Sequence, residues 1–315
     1  MPRSLVRSFL LTVGMAFTLV ITAGPVDAQV VLRPKLVPGS THDFKVESTT
    51  KQLLTINGMD VPTEATTYVI SQRVVGKPQA DGSLKATTTT KKLQQELNLP
   101  GYKLSFDSDN PDKKAPIPQL EPLLDALRAS AKFARVVVYD KSGLPTKVEG
   151  ADKALESLPK ATRTLLANQL SNKALLKQAQ NETRTITDKP KSPGESWTHD
   201  SKLNLEAGQL LTIKQKFTYV GPVKQGSTTL HKISVKALSA TLTQDAPPGS
   251  PTQLSNAKLK VAKGAGEILV DLAEGAIAKQ TGTTQLVGTL DLSIMGMTFP
   301  AKLDLTISIT STLGR

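Results

Sequence analysis

Apolar and polar residues alternate with a period of two along most of this chain, which predicts a protein built largely of β-strands. The first such segment carries Phe44 and Val46 on one phase. Residues 53–56 then lead to an Asn57-Gly58 turn, and 68–75 provide the return strand. Because Asn-Gly is the preferred pair for a two-residue turn between antiparallel strands, this stretch predicts a β-hairpin.

The middle of the chain interrupts the strands with a proline-rich loop and helices. Four prolines between residues 107 and 122 disfavour regular structure there. Leucines at helical spacing follow, which is typical of helices that pack on a sheet. The segments predicted here are a threonine-rich strand over 83–97, a helix over 120–131, a strand over 135–140, a turn at 141–143, a return strand over 144–149, and helices over 151–158 and from 160 to about 180.

The last part of the chain is predicted to be almost entirely strand. A Pro/Gly-rich stretch at 188–195 is the best internal boundary, so we predict an N-terminal β-rich half with helices over 29–187 and a C-terminal all-β half over 188–315. The predicted strands of the second half are 197–206, 210–220, 227–243, 257–262, 267–271, 276–281, 285–295 and 298–313, with a Pro/Gly/Ser-rich loop at 244–256. The predicted fold class is mainly β (β-rich α+β), with antiparallel sheets in two similar halves and a few helices inserted in the middle of the chain.

Short segments recur between the two halves. Residues 54–62 (LTINGMDVP) resemble 292–300 (LSIMGMTFP), since each has a strand, a turn at Gly-Met and a proline that enters the return strand. Pro38-Gly39 opens the first half as Pro193-Gly194 opens the second. This self-similarity predicts an internal repeat.

The first 28 residues predict an export signal. Two arginines precede an apolar run over 9–23, and small residues at positions −3 and −1 of a cut after Ala28 fit a signal peptide at 1–28. The alternative is a retained membrane anchor over 8–26, but Gly14, Pro25 and several threonines dilute that stretch. We therefore expect a periplasmic or extracellular protein with no membrane span after signal cleavage.

Composition changes this picture in two ways. The chain contains no cysteine, so disulfides are excluded and stability must come from an ordinary apolar core. Removal of Arg3, Arg7 and Asp27 with the signal peptide leaves 37 basic and 26 acidic residues, a formal net charge of +11. The lysines are scattered and aromatic residues are scarce, which favours a solvated surface in an anionic cell envelope over nucleic-acid binding.

Several turn and strand motifs together suggest a family. They are Pro38-Gly39, Asp81-Gly82-Ser83, Ser105-Phe106-Asp107-Ser108, Asp140 with Gly143-Leu144, and Pro193-Gly194-Glu195-Ser196-Trp197. With these motifs the chain resembles an uncharacterised family of exported, β-rich bacterial proteins of unknown function. The resemblance would cover most of the mature chain. It implies export and a β-rich fold, and it implies no activity and no catalytic residue.

Histidine is the usual general base near neutral pH, and the sequence has three, His42, His199 and His231. Each lies in phase with apolar neighbours, which favours a hydrogen-bonded histidine at or near the core. The alternative is a metal site in which His42 and His199 join Asp43 and Asp200, if the two halves pack symmetrically. Adjacent strand residues point to opposite faces, which disfavours that cluster.

Three motifs occur in the order that serine β-lactamases use, at Ser48 to Lys51, Ser108 to Asn110, and Lys141 to Gly143. Their predicted contexts are a strand, a proline-rich loop and a hairpin turn, whereas the chemistry needs a serine at a helix start. Three carboxylates of the loop lack the spacing of a calcium site and favour a solvated turn; they are Asp107, Asp109 and Asp112. Dinucleotide, Walker A and His-Glu-x-x-His motifs are missing from the sequence. We therefore predict no catalytic, cofactor-binding or metal-binding residues, no cofactor, and a protein that is not an enzyme.

The predicted function is that of an exported binding module for an amphiphilic or apolar ligand. Curved antiparallel sheets covered by helices can offer such a ligand a binding face or an apolar cavity. One alternative is a structural or adhesive envelope protein that associates with anionic polymers. Another is a hydrolase whose site is not recognisable in the sequence. The expected partners are a lipid or an anionic envelope polymer, with no nucleic acid.

Overall fold

The computed structural model of the protein describes residues 29–204, 209–244, 252–294 and 296–314. The predicted signal peptide, 1–28, lies outside these residues. Within the described residues, twelve strands form one antiparallel sheet. The strands are β1 (Thr41–Ile56), β2 (Met59–Val75), β3 (Leu84–Leu99), β4 (Tyr102–Asp107), β5 (Ala134–Tyr139), β6 (Pro145–Glu149), β7 (Ser196–Asn204), β8 (Gln209–Gln225), β9 (Thr228–Gln244), β10 (Thr252–Asp271), β11 (Ala276–Ile294) and β12 (Met297–Gly314).

The helices lie in the middle of the chain, as predicted. A short 3-10 turn (Pro118–Leu120) precedes α1. The α-helices of the described residues are α1 (Glu121–Lys132), α2 (Ala151–Glu156), α3 (Lys160–Leu170) and α4 (Asn172–Thr185).

The strand order is β6-β5-β3-β2-β1-β12-β11-β10-β9-β8-β7, and β4 pairs with β3 outside this path. β1 and β12, the first and last strands of the described residues, are therefore neighbours at the centre of the sheet. They pair from Asp43 opposite Gly314 to Ile56 opposite Ala301, so one continuous sheet joins the strands on both sides of the 188–195 stretch. The prediction of a mainly antiparallel β fold is confirmed, while the division into domains and the internal repeat stay predictions.

The hairpin between β1 and β2 follows the local sequence. Asn57 and Gly58 both have positive φ, 49° and 80°, which is the geometry of a type I′ turn. The right-handed twist of that turn matches the twist of the strands, so the register of this hairpin is set by two residues.

Several predicted element boundaries differ from the structure. Residues 252–256 of the loop predicted at 244–256 belong to β10. The helix predicted from 160 to about 180 is two helices, because Ser171 has an extended backbone and its side chain accepts the backbone N–H of Ala174, capping α4. The predicted pairs 257–262 with 267–271 and 276–281 with 285–295 are single strands, β10 and β11. Glycines interrupt the sequence pattern of both strands, but they lie inside the ladder, where the two backbones approach closely: a Cβ at Gly266 would lie 2.6 Å from the Thr281 carbonyl oxygen.

One face of the sheet, here called the inner face, carries the apolar side chains. Strand pairing places Leu54 of β1 opposite Leu303 of β12, and the same phase continues through Leu286 on β11. The helices cover this face, since Leu124 of α1 packs against Leu104 and Phe106 on β4. The opposite, outer face carries rows of Lys, Glu, Thr and Gln.

Candidate binding face

The C-terminal part of the sheet folds over on its own inner face. Strands β9 and β10 pair only from Ala265 opposite Lys236 to Val270 opposite His231. Beyond this short ladder they separate, and side chains from β8 and β9 pack against side chains from β11 and β12. The buried members of this cluster are Leu211, Ile213, Ala237, Ala240, Leu242, Leu286, Leu290, Leu292, Ala301, Leu303 and Leu305. One end of the inner face is thereby closed by sheet-on-sheet packing.

Helix α4 connects the two edges of the sheet. At the β7 edge, the Trp197 indole N–H donates to the Thr185 carbonyl oxygen over 3.0 Å, and His199 Nε2 lies 3.2 Å from Asn181 Oδ1. At the β6 edge, Gln180 Nε2 donates to the Pro145 carbonyl oxygen over 3.1 Å. The sheet is therefore curved so far that one helix of fourteen residues reaches both edge strands.

The segment before β1 closes the other end of the inner face. Val30 and Lys191 exchange backbone hydrogen bonds of 3.0 and 2.9 Å, and Arg33 forms an ion pair of 3.4 Å with Asp188. Leu32 is fully buried in a cluster with residues of β8, β9 and β10. This cluster adds Ile186, Phe217, Tyr219, Ile233, Ile268 and Val270.

Between these packed ends, the centre of the inner face is only half-buried. We call this area the central patch, and it combines apolar and hydroxyl side chains from β1, β2 and β12. Strand pairing places Ser48 between Thr67 and Ile309, so these residues form one row across three strands. The central patch consists of Val46, Ser48, Thr50, Ala65, Thr67 and Ile309, none of which belongs to a buried cluster of the described residues. Val46, Ala65 and Ile309 are therefore apolar side chains that are left partly exposed on the inner face.

A row of cationic side chains, here called the cationic row, crosses the same face near the start of β1. Strand pairing aligns His42 on β1, Arg73 on β2, Thr88 on β3 and Arg135 on β5. Neighbouring strands lie about 4.8 Å apart, so the backbones of Arg73 and Arg135 are about 10 Å apart. The Arg73 guanidinium carbon lies 4.7 Å from the centre of the Phe44 ring, which holds the side chain against the sheet.

The cationic row is incompletely paired. Among the described residues, Arg73 Nε and His42 Nδ1 are buried nitrogens without a hydrogen-bond partner. His42 Nε2 contacts Glu274 Oε2 at 3.2 Å, and the Glu274 side chain is 57% exposed. Burial lowers the pKa of Arg73, and the nearby Arg135 lowers it further while Tyr139 opposes both effects. Burial also raises the pKa of Tyr139, so its hydroxyl remains a donor.

The three histidines occupy separate places. His42 lies on β1 and is 7% exposed, in line with its predicted position in phase with Phe44. His199 contacts Asn181, and His231 Nδ1 lies 2.8 Å from the hydroxyl of the buried Tyr219. Burial lowers the pKa of both His199 and His231. Within the described residues, no group of three or more His, Asp or Glu side chains is placed to hold a metal ion.

The other residues singled out in the sequence lie apart from one another. Ser48 is in the central patch, and the Ser108 hydroxyl accepts the backbone N–H of Leu93 after β4. Ser142 lies in the turn between β5 and β6, where its hydroxyl donates to Asp140 over 2.6 Å. Asp107 accepts hydrogen bonds from the Gln94 side chain and the Asp109 backbone, which fits a solvated turn.

Sequence reasoning missed Arg73 and Arg135. Each precedes a run of valines and shares the phase of a buried valine, Val75 or Val137. The sequence did place each arginine in phase with a buried valine, which indicates a charge on the buried face. This pattern does not show that the two arginines align across the sheet, because strand register is not encoded in any one segment.

Comparisons with known proteins assign no family. The sequence matches no protein-family model and no curated protein. Solved structures with similar backbones include one that describes lipid–protein interactions in lipovitellin, at 8% identity and a TM-score of 0.42. That match covers 89% of this chain and 26% of lipovitellin, so the chain spans about a quarter of the lipovitellin length. The β domain of the Bordetella autotransporter BrkA (6% identity, TM-score 0.21, 87% of this chain and 99% of that one) and Pseudomonas aeruginosa OpdQ (7%, 0.21, 87% and 99%) also match. At TM-scores below 0.5 these likenesses carry no functional assignment. Among the described residues no helix is both long and apolar enough to span a membrane.

Proposed function

We propose that this protein is an exported, non-catalytic binding protein that takes the apolar part of an amphiphilic ligand on the inner face of its sheet. The observation that carries the proposal is the half-buried central patch, which lies between two tightly packed ends of one face. A ligand that covers partly exposed apolar side chains is stabilised by about 25 cal/mol per Å² of apolar surface removed from water.

The outer face offers a less suitable surface for such a ligand. Two concavities of this face, of about 450 and 470 Å³, have charged side chains in their linings, such as Asp107 and Lys113 in one and Lys51, Glu64 and Asp304 in the other. Several of its lysines are also paired with carboxylates, such as Lys45 with Glu47 at 3.0 Å and Lys51 with Glu64 at 3.1 Å. This pairing also weakens the alternative of an adhesive protein that binds anionic polymers, because it lowers the positive potential of that face.

Native mass spectrometry of the purified protein, followed by lipid extraction, tests the proposal directly. We expect a co-purifying amphiphile, or, after its removal, saturable binding of the neutral fluorescent probe N-phenyl-1-naphthylamine. The substitution Ile309→Asp places a charge in the central patch and should weaken probe binding by about tenfold or more, which corresponds to about 1.4 kcal/mol.

Thr310→Asp is the matched control, because Thr310 is the next residue of β12 and is exposed on the outer face. It should leave probe binding unchanged. A clean apo mass together with no saturable probe binding would disprove the proposal. Equal effects of the two substitutions would place the binding surface elsewhere.

A further inference from the structure

We propose that the cationic row binds the anionic head group of the ligand, a carboxylate or phosphate, through Arg73 and Arg135 with His42 at the end of the row. This inference rests on the proposed function and adds the chemical class of the ligand. The central patch would then hold the apolar chain of the same molecule.

The cationic row and the central patch share one face of β1. His42 and Thr50 lie on the same phase of β1 and are eight residues apart, which is about 27 Å along a strand. Phe44, Val46 and Ser48 follow one another between them on that face. One extended amphiphile can therefore reach from the cationic row across the central patch.

An unpaired arginine is unfavourable in this position. A guanidinium keeps its charge at all physiological pH values and presents five N–H donors. Taking such a charge out of water without a counter-ion destabilises the protein. Arg73 and Arg135 form no ion pair with any described carboxylate. A ligand anion would recover part of this cost, and the fork of N–H donors suits a carboxylate or phosphate.

The acids near the cationic row have other partners. Glu274 contacts the end of the row at His42, from a turn between β10 and β11. Glu182 of α4 lies near Tyr139, but its carboxylate accepts the Gln178 amide over 2.8 Å. Neither acid forms an ion pair with Arg73 or Arg135.

The alternative is that Arg73 has only a structural role, through its contact with the Phe44 ring. Lys45 provides the matched control, because it directly follows Phe44 on β1 and lies on the outer face. Its ammonium nitrogen is 5.2 Å from the centre of the Tyr68 ring. Lys45→Gln removes a cation–π contact without touching the inner face.

The experiment uses two probes with the same fluorescent tail, cis-parinaric acid and its methyl ester, titrated into the purified protein. We expect the wild-type protein to bind the acid at least tenfold more tightly than the ester. Arg73→Gln and Arg135→Gln should each reduce this preference by weakening binding of the acid more than binding of the ester. Arg73→Lys should retain part of the preference, and Lys45→Gln should leave it intact. Circular dichroism establishes that each variant is folded, and Arg135→Gln serves as the test if Arg73→Gln is not.

Competition experiments distinguish a site for amphiphilic anions from a site for any small anion. Dodecyl phosphate and palmitate should displace the acid probe at micromolar concentrations, whereas acetate and inorganic phosphate should not. Displacement by the short anions at equal concentration would show a simple anion site and overturn the inference. Equal binding of acid and ester, with ester binding still blocked by Ile309→Asp, would overturn the head-group inference and leave the proposed function standing. If neither probe binds, both fail.

Discussion

The Cβ atom of Ala237 occupies the space that a side chain at position 264 would need: a Cβ built on Gly264 would lie 2.4 Å from it. These residues follow directly after the last pair of the β9–β10 ladder, Lys236 opposite Ala265. They therefore mark the corner at which the two strands separate and the sheet folds over. The packed end of the inner face depends on this close approach, because the apolar cluster beyond it joins side chains from both layers.

Gly264→Ala should therefore destabilise the protein, by about 1–3 kcal/mol, which is the usual cost of forcing an extra methyl group into a packed site. Urea unfolding followed by circular dichroism measures the change. Ala237→Gly in the same chain should recover part of the loss, since it removes the atom that the new methyl group meets.

Gly282→Ala is the matched control for this corner. A Cβ at Gly282 would meet its nearest neighbour at 3.7 Å, an ordinary contact, and its φ is not in the left-handed region. Its unfolding free energy should change by less than that of Gly264→Ala. If the two substitutions have equal effects, or if Ala237→Gly gives no recovery, then the close approach at this corner does not determine stability.

A second prediction concerns pH. Burial lowers the pKa of His199 and His231 in the folded protein, so near their ordinary pKa of 6.5 the folded protein binds fewer protons than the unfolded chain. The free energy of unfolding should therefore decrease as pH falls from 7.5 through 6.5 towards the lower pKa values of the folded state, and this contribution is fully present only above 6.5.

The double substitution His199→Gln with His231→Gln should flatten this dependence. Urea unfolding at pH 7.5, 6.5 and 5.5 compares the slopes, and both proteins are kept above the range in which carboxylates titrate strongly. A double variant whose stability falls as steeply as that of the wild type would show that these histidines do not cause the effect.

Local signals in the sequence were sufficient for most of the fold. The Asn57-Gly58 turn needs positive φ at both residues, and this requirement is set by two neighbouring side chains. The break at Ser171 was missed because leucines continue at helical spacing on both sides of it, and one capping hydrogen bond does not change that pattern. Helix boundaries depend on such single contacts.

Ser171→Ala tests the importance of that cap. The Ser171 hydroxyl accepts the Ala174 N–H over 3.3 Å, and loss of an N-cap typically costs about 1 kcal/mol. Urea unfolding should show a loss of this order, and Ser171→Asp should retain most of the stability, because Asp is an equally good cap. Equal losses in the two variants would mean that the side-chain cap is not what separates α3 from α4.

The candidate site could not be read from the sequence for a different reason. Its residues come from β1, β2, β5 and β12, which are far apart in the chain, and the alignment of Arg73 with Arg135 passes through Thr88 on a third strand. A shift of one residue in any ladder would move one arginine to the outer face. Only the assembled register brings these charges to one surface.

The last prediction concerns α4, the helix that reaches both edges of the sheet. Leu175 is 4% exposed and packs against Val137 and Val148, so Leu175→Ala should cost about 2–5 kcal/mol, as for other buried leucines. Lys177→Ala, an exposed change on the same helix, should alter stability by no more than about 0.5 kcal/mol.

Trp197 is the single tryptophan of the chain and donates to the carbonyl of Thr185 at the end of α4, so its fluorescence reports on this contact. If α4 is an integral closure of the sheet, the fluorescence of Trp197 and the β-sheet circular dichroism should change at the same urea concentration in wild type and in Leu175→Ala. A fluorescence transition that precedes the loss of sheet would instead show that α4 leaves the edge strands before the sheet unfolds.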